Sequence, residues 1–271
     1  MSTKKAAVLG GGNIGLSIAQ GLVNSKLYSA RNIFLTRRNP APLQQYAELG
    51  YNVTNNNHKA VTESDIIIIA VQPQQLDGLL NEIKNDLNEK KHTLISVVSG
   101  ASVKAIKTQI QKDVAVIRAM PNTAIAIRES MTCLAGDNVN KEKLDEAKQI
   151  FDSVGKTLII TEELMIPATA LCACGIAFFL RGIRAASQGG IEIGFHSEEA
   201  LLMAAQTAKG AAALLLSGET HPENEVDKVT TPRGCTISGL NQMEHHGFSS
   251  ALIRGIVTSA EKAAKLYKID E

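Results

Sequence analysis

A short apolar run, Ala6 to Leu9, leads into Val8-Leu-Gly-Gly-Gly-Asn-Ile-Gly15 and then into a stretch with helical spacing. A strand, a cluster of glycines and a helix in that order admit few folds. Gly10, Gly12 and Gly15 stand in the G-x-G-x-x-G pattern, with Asn13 and Ile14 between the last two. In such a segment the first glycine allows the tight turn, the second leaves space for a pyrophosphate, and the third lets the helix pack against the strand. The unpaired N–H groups at the helix start add donors and positive potential for a phosphate. A dinucleotide cradle is therefore expected, a merely structural turn being the other reading of the same glycines.

The rest of the first half agrees with that expectation. Asp65-Ile-Ile-Ile-Ile-Ala-Val71 does not alternate between polar and apolar, as befits a parallel strand covered on both faces. Further strands are predicted at Asn32 to Thr36, Thr93 to Ser99 and Val114 to Arg118, with candidates at Met131 to Leu134 and Thr157 to Thr161. Helical patterns cover Ile14 to Asn24, Ala41 to Leu49, Gln74 to Leu87, Ser102 to Ile110 and Lys141 to Asp152. After Thr161 the strands stop. Glu162 to Leu171, Ile176 to Gly189, Ser197 to Leu216 and Ser249 to about Lys268 read as helices, with Ser249 as a cap and Phe248 stapled to Ile253. The expected fold class is α/β: a Rossmann-like nucleotide-binding domain over residues 1–161, then an all-helical domain over 162–271.

The helical half is rich in alanine, glycine and leucine, more apolar length than a small bundle covers alone, so a homodimer is expected. Leu164 to Leu180 carries no charge but contains Pro167 and Gly175, and reads as a buried core or a subunit interface rather than a membrane span. The opening residues resemble a signal peptide superficially; the strand-turn-helix reading accounts for them better. With 28 basic and 27 acidic side chains the net charge is +1, so no global field would gather nucleic acid. Cys133, Cys172, Cys174 and Cys235 form no disulfide framework, which fits a reducing, cytoplasmic compartment. Neither they nor the six histidines show the spacing of a metal site.

The second strand ends in Thr36-Arg37-Arg38-Asn39, where an NAD site would carry a carboxylate for the adenosine ribose. Guanidinium groups there suit a 2′-phosphate, so NADP(H) is the expected cofactor, with NAD(H) accepted more weakly. A solvated surface pair is the alternative for the two arginines.

Later segments carry a family likeness. Ala70-Val71-Gln72-Pro73, Arg118-Ala-Met-Pro-Asn-Thr123, His221-Pro222 and Thr231-Pro-Arg-Gly-Cys-Thr-Ile-Ser-Gly-Leu240, with the glycine segment, resemble the pyrroline-5-carboxylate reductase family in order and spacing across essentially the whole chain. The resemblance implies NAD(P)H-dependent reduction of a cyclic imine to L-proline by a Rossmann-like domain joined to a helical dimerisation domain, with dimers in some members assembling into decamers. It also implies cofactor contacts at Gly10, Gly12, Asn13, Ile14, Gly15, Asn57, Ala70, Val71, Gln72, Pro73, Ser99 and Gly100, and a wall beside the nicotinamide from Arg118 to Thr123.

For the imino acid it implies Asn122, Cys174, Arg233, Gly234, Cys235 and Thr236, with Thr236 hydrogen-bonding the ring nitrogen from a helix start; a plain N-cap is the other role open to it. Departures from the family pattern cluster here. Gln72 stands for a lysine, Ala124 for a proline, Cys172-Ala-Cys-Gly-Ile-Ala-Phe178 for a serine- and glycine-rich run, and Pro232-Arg-Gly-Cys-Thr236 for Pro-Gly-Gly-Thr-Thr. Another small cyclic imine, or a non-catalytic NADP-binding scaffold, therefore stays beside the main reading. A β-hydroxyacid dehydrogenase is disfavoured because Ile176 to Gly194 lacks a lysine.

Overall fold

In the computed structural model, which describes residues 3–218 and 220–265, every side chain of Ile66–Ile69 is buried. Successive side chains of a strand point to opposite faces, and the core divides accordingly. Ile66 and Ile68 pack with Val8, Ile18, Leu22 and Phe151. Ile67 and Ile69 pack with Leu9, Leu76, Leu80 and Ile106 in a separate cluster. A strand with helices on both faces has no wet side, which is why its sequence does not alternate. Each isoleucine so buried contributes about 1.5–3 kcal/mol.

The sheet contains β1 (Ala6–Leu9), β2 (Ile33–Thr36), β3 (Asn52–Thr54), β4 (Ile66–Ile69), β5 (Thr93–Ser96), β6 (Ala115–Met120), β7 (Ser130–Gly136) and β8 (Gly155–Ile159), in spatial order β3-β2-β1-β4-β5-β6-β7-β8. All neighbours are parallel except β6 and β7. The order reverses at β1, so the crevice beyond the carboxyl ends of β1 and β4 lies at the switch point where such sheets bind ligands. Strand β3 escaped the sequence reading because three half-buried residues, two of them polar, carry too little periodicity.

Helices α1 (Asn13–Asn24), α2 (Gln44–Glu48), α3 (Asn57–Thr62), α4 (Pro73–Ile83), α5 (Val103–Ile110) and α6 (Lys141–Asp152) connect the strands. The single helix expected from Ala41 is a 3-10 turn followed by α2, with Pro42 in the turn's first positions. His58 lies inside α3, a helix absent from the expected patterns, because the Asn56 side chain accepts from the Lys59 N–H at 2.9 Å and starts a helix there.

From Glu162 the chain passes through a 3-10 turn, α7 (Met165–Ala168), a π-helical segment Thr169–Cys174, and α8 (Gly175–Glu192). The break expected between Leu171 and Ile176 is that π segment. Two compact units result: Met1–Cys174 with Ser259–Glu271, and Gly175–Thr258. Residues after 161 join the sheet unit because Met165 and Ala168 pack on Met120, Cys133 and Ala135.

The second unit holds α8, α9 (Ser197–Ser217), α10 (Pro222–Val229), α11 (Cys235–His245) and the larger part of α12 (Phe248–Ala263). Helices α8 and α9 approach closely at Gly190, where a Cβ would meet that of Ala200 at 3.0 Å. His221-Pro222 begins α10: the His221 ring accepts from the Glu223 N–H and Pro222 fills the first helical position. Ser249 lies within α12, not at its cap, and its hydroxyl donates to Glu244 at 2.7 Å. The end expected near Lys268 falls outside the described residues.

Leu164 to Leu180 is only partly core, since Met165 and Ala170 are buried while Leu171, Phe179 and Leu180 are exposed. Exposure is heaviest farther along, with Ile193 at 77%, Leu202 at 70% and Leu216 at 82%. Among the described residues, Glu162–Glu192 and Ser197–Ser217 are long and apolar enough to cross a membrane, by length and composition alone.

Candidate functional site

The loop after β1 explains its three glycines separately. Gly10 has φ +114°, open to glycine and strained for other residues, and a Cβ there would strike the Ala70 backbone. A Cβ on Gly15 would collide with the Gly10 carbonyl and meet Val8 Cγ1 at 3.0 Å. Gly12 differs from both: a Cβ there would meet nothing within 4 Å. Its lack of a side chain serves no contact inside this chain, which fits a group approaching from outside. Gly12 caps α1, a twelve-residue helix with no acidic residue in its first turn, so the free N–H groups face that space unopposed.

Thr36, in the segment expected at the cofactor, is only 3% exposed. Its carbonyl instead accepts from Gly10 (3.2 Å) and Gly11 (2.7 Å), so this residue shapes the loop. Arg37 and Arg38 follow it at the exposed end of β2, and Arg37 Nη1 donates to the Gly11 carbonyl at 3.3 Å. The guanidinium thus lies beside the glycine loop, where its positive charge suits an adenosine 2′-phosphate. The residues fit NADP.

Ala70 continues β4 beside this loop, its N–H donating to Leu9 at 2.8 Å. Val71 and Gln72 lead to Pro73 at the first position of α4, with Gln72 as its cap. Asn57 opens α3, and its amide donates to both Glu82 carboxylate oxygens at 3.1 and 3.2 Å. Beyond β5, Ser99 donates to the Met120 sulfur at 3.9 Å and Gly100 takes φ +88°.

The Arg118 to Thr123 segment is anchored by groups that sequence reasoning missed. Arg118 is 4% exposed and pairs with Glu162 at 3.3 Å; the same carboxylate oxygen accepts from the Val103 N–H at 2.6 Å. Burial pushes the Arg118 pKa down and Glu162 opposes that. The Asn122 side chain donates to the Cys172 carbonyl (3.1 Å) and accepts from Ala124 N–H (3.0 Å), while its backbone N–H donates to Ser130 Oγ (3.0 Å). Cys174 ends the π segment that carries Cys172.

The remaining expected residues belong to the helical unit. Gly234 caps α11 after a tight turn from Thr231, and a Cβ on it would meet Thr231 Oγ1 at 2.5 Å. Cys235 and Thr236 lie in the first helical turn, so Thr236 stands at a helix start. Arg233 has φ +60°, left-handed backbone that favours glycine. That position is one where the family pattern has glycine, so the substitution carries strain. Among the described residues no group of three or more His, Cys, Asp or Glu side chains is arranged to hold a metal.

Comparison with known proteins bears on all these elements together. Residues 162–266 match the profile described as pyrroline-5-carboxylate reductase dimerisation, and residues 5–100 match NADP oxidoreductase, coenzyme F420-dependent. Pyrroline-5-carboxylate reductase 2 of Dictyostelium discoideum is 48% identical over 97% of this chain and 93% of its own length. The chain belongs to the pyrroline-5-carboxylate reductase family. Pyrroline-5-carboxylate reductase 1 of the same organism is 56% identical over 96% of the chain, which spans about half (49%) of that relative's length. The solved pyrroline-5-carboxylate reductase of Coxiella burnetii superposes with a TM-score of 0.92 at 27% identity, covering 98% of this chain and 100% of that one. A Plasmodium falciparum pyrroline carboxylate reductase solved with NADP bound shares the fold, with a TM-score of 0.88 at 24% identity over 98% and 99% of the two chains. For this pyrroline-5-carboxylate reductase homologue, the dimerisation profile begins at residue 162, whereas the division into compact units falls after Cys174.

Proposed function

We propose that the chain reduces 1-pyrroline-5-carboxylate to L-proline with NADPH, using NADH more weakly. The observation that carries this reading is the 48% identity to a named reductase over almost the whole of both chains; the glycine loop and the arginine pair agree with it. When bound, the reduced nicotinamide supplies the hydride. The protein's own part is positional. The α1 N–H groups and the open space at Gly12 hold the pyrophosphate, and Arg37 with Arg38 pairs with the 2′-phosphate. Asn57, the Ala70 to Pro73 turn and Ser99-Gly100 line the rest of the nucleotide.

A protonated imine is already electrophilic, so alignment supplies much of the rate. Thr236 Oγ1 hydrogen-bonds the ring nitrogen as it becomes an amine. The first α11 turn, with Gly234 and Cys235, binds the carboxylate, and Arg233, Asn122 and Cys174 complete the imino-acid contacts. The exposed apolar helices of the second unit are covered by a second copy, consistent with the dimerisation profile, and such dimers assemble further into a decamer. A cytoplasmic setting without a membrane or nucleic acid accords with four free cysteines and the small net charge.

Loss of NADPH absorbance with 1-pyrroline-5-carboxylate, compared with other cyclic imines, tests the reaction. Faster turnover of another imine would reassign the substrate; NADPH binding without turnover of any imine would leave a scaffold. Thr236→Val should lower turnover while leaving NADPH affinity unchanged. A monomer mass at every concentration in light scattering would contradict the dimer.

A further inference from the structure

Cys133 and Cys172 belong to no spacing motif, yet their sulfurs lie 4.0 Å apart. Cys133 is 3% exposed within β7, where it is the register partner of Met120 on β6. Cys172 is partly exposed in the π segment. Both neighbours of the pair lead to the candidate site. The Met120 sulfur accepts from Ser99, an expected cofactor contact, and the Cys172 carbonyl accepts from the Asn122 amide.

The two thiols are unequal. The hydrogen bond between the sulfurs, in which either can donate, lowers the Cys172 pKa to about 7, and the same bond with burial raises that of Cys133. The more exposed sulfur is therefore ionised and nucleophilic near neutrality, while the buried one keeps its proton. Redox-sensing cysteines of this kind often have a resolving thiol beside them.

We propose that Cys133 and Cys172 are a reversible oxidation site, in which Cys172 is attacked by a peroxide and Cys133 resolves it to an intramolecular disulfide. The Cys172 thiolate attacks one peroxide oxygen, forming an S–O bond as the O–O bond breaks and hydroxide leaves. Cys133 sulfur then attacks the Cys172 sulfenic sulfur, losing its proton as the S–O bond breaks and the oxygen departs as water. Overall, two thiols and one hydrogen peroxide give one disulfide and two waters.

Closing a 4.0 Å gap to the S–S length of about 2.05 Å draws the π segment toward β7 and moves the carbonyl that holds Asn122. The consequence for turnover rests on the reductase reading above; the cross-link does not. Misplacement of about 1 Å can cost up to about a hundredfold in rate, so the oxidised protein should reduce the imine roughly tenfold more slowly and recover with dithiothreitol.

The test treats the full-length protein with stoichiometric hydrogen peroxide and maps its peptides without reduction. Expected is one cross-linked pair containing Cys133 and Cys172, about 2 Da lighter than its separate peptides and absent from Cys133→Ser and Cys133→Ala. Before oxidation, Cys133→Ser should keep the rate of the unaltered protein, and afterwards it should lose the dithiothreitol-reversible inhibition. Alkylation of Cys172 should reach half its maximal rate near pH 7 and shift to higher pH in Cys133→Ala. Sulfinic or sulfonic acid at Cys172 alone, or a bridge to Cys174, Cys235 or another chain, would overturn the site. A cross-link without change in turnover would overturn its coupling to Asn122. A cross-link in a protein that reduces no imine would count against the proposed reaction and leave the oxidation site standing.

Discussion

Alanine at Gly12 and alanine at Gly15 should fail in opposite ways. At Gly12 the added methyl meets nothing within 4 Å, and the backbone (φ −94°, ψ −173°) is open to any residue. Apoprotein stability should therefore stay within about 0.5 kcal/mol, or rise slightly as the unfolded chain loses freedom. The methyl occupies the space assigned to the pyrophosphate and would break at least one charge-assisted hydrogen bond, worth about 1.5–3 kcal/mol. That energy converts to a rise in NADPH dissociation constant of roughly 10- to 150-fold. At Gly15 the methyl runs into the Gly10 carbonyl and approaches Val8 Cγ1 to 3.0 Å. Overpacking of this kind costs about 1–3 kcal/mol, so Gly15→Ala should unfold at lower urea with or without nucleotide. Urea melts of the apoproteins beside fluorescence titrations with NADPH separate the two. If Gly12→Ala destabilised the apoprotein as much as Gly15→Ala, or bound NADPH like the unaltered chain, the assignment of that open space would be wrong.

Replacing Arg37 and Arg38 with glutamine should raise the dissociation constant for NADPH at least tenfold more than that for NADH, since only NADPH carries the 2′-phosphate; equal shifts in paired titrations would refute the assignment. Glu162→Ala strips a carboxylate from the buried Arg118 guanidinium and the Val103 N–H. Because Glu162 is 26% exposed, the loss should be about 2–3 kcal/mol, at or below the lower end for buried pairs, and a urea-derived change under about 0.5 kcal/mol would refute it. Arg233→Gly should relieve left-handed strain at φ +60° and raise stability by about 0.5–1 kcal/mol after the entropy of the new glycine; a lower melting temperature would show that the side chain makes compensating contacts. Burial and the Lys91 charge hold His92 below its ordinary 6.5. Below pH 6.5 the unfolded chain binds that proton more readily, so stability is full above this pH and falls as acid is added, by at most about 1.4 kcal/mol per pH unit. The Asp86 carboxylate raises His58 and acts in the opposite sense; the difference between unaltered protein and His92→Gln isolates His92, and parallel pH curves for the two would contradict the argument.

The chain's local signals were largely readable. Gly10 and Gly15 carry their conformational reasons in their spacing, and the unbroken apolar run at Ile66 announces a strand covered on both sides. Errors arose where the deciding group was small or distant. A side-chain cap at Asn56 starts α3 where no helical pattern was read, and three residues sufficed for β3 once β2 lay beside them. Thr36 is closed off because the glycine loop folds back onto its carbonyl, a contact visible only when β1 and β2 are paired.

Sequence patterns were enough to establish the nucleotide fingerprint, the α/β plan, the arginine pair and the helical second half, because each depends on periodicity or backbone freedom within a few neighbouring residues. The tertiary fold alone decided that Glu162 partners Arg118, that Asn122 is tied to the Cys172 carbonyl, and that the sulfurs of Cys133 and Cys172 are neighbours. Those pairs lie tens of residues apart, and their meeting depends on how β6, β7 and the π segment are packed together. Short-range steric and hydrogen-bonding rules are written along the chain; the proximity that sets a buried charge or pairs two thiols exists only after the sheet has closed around it.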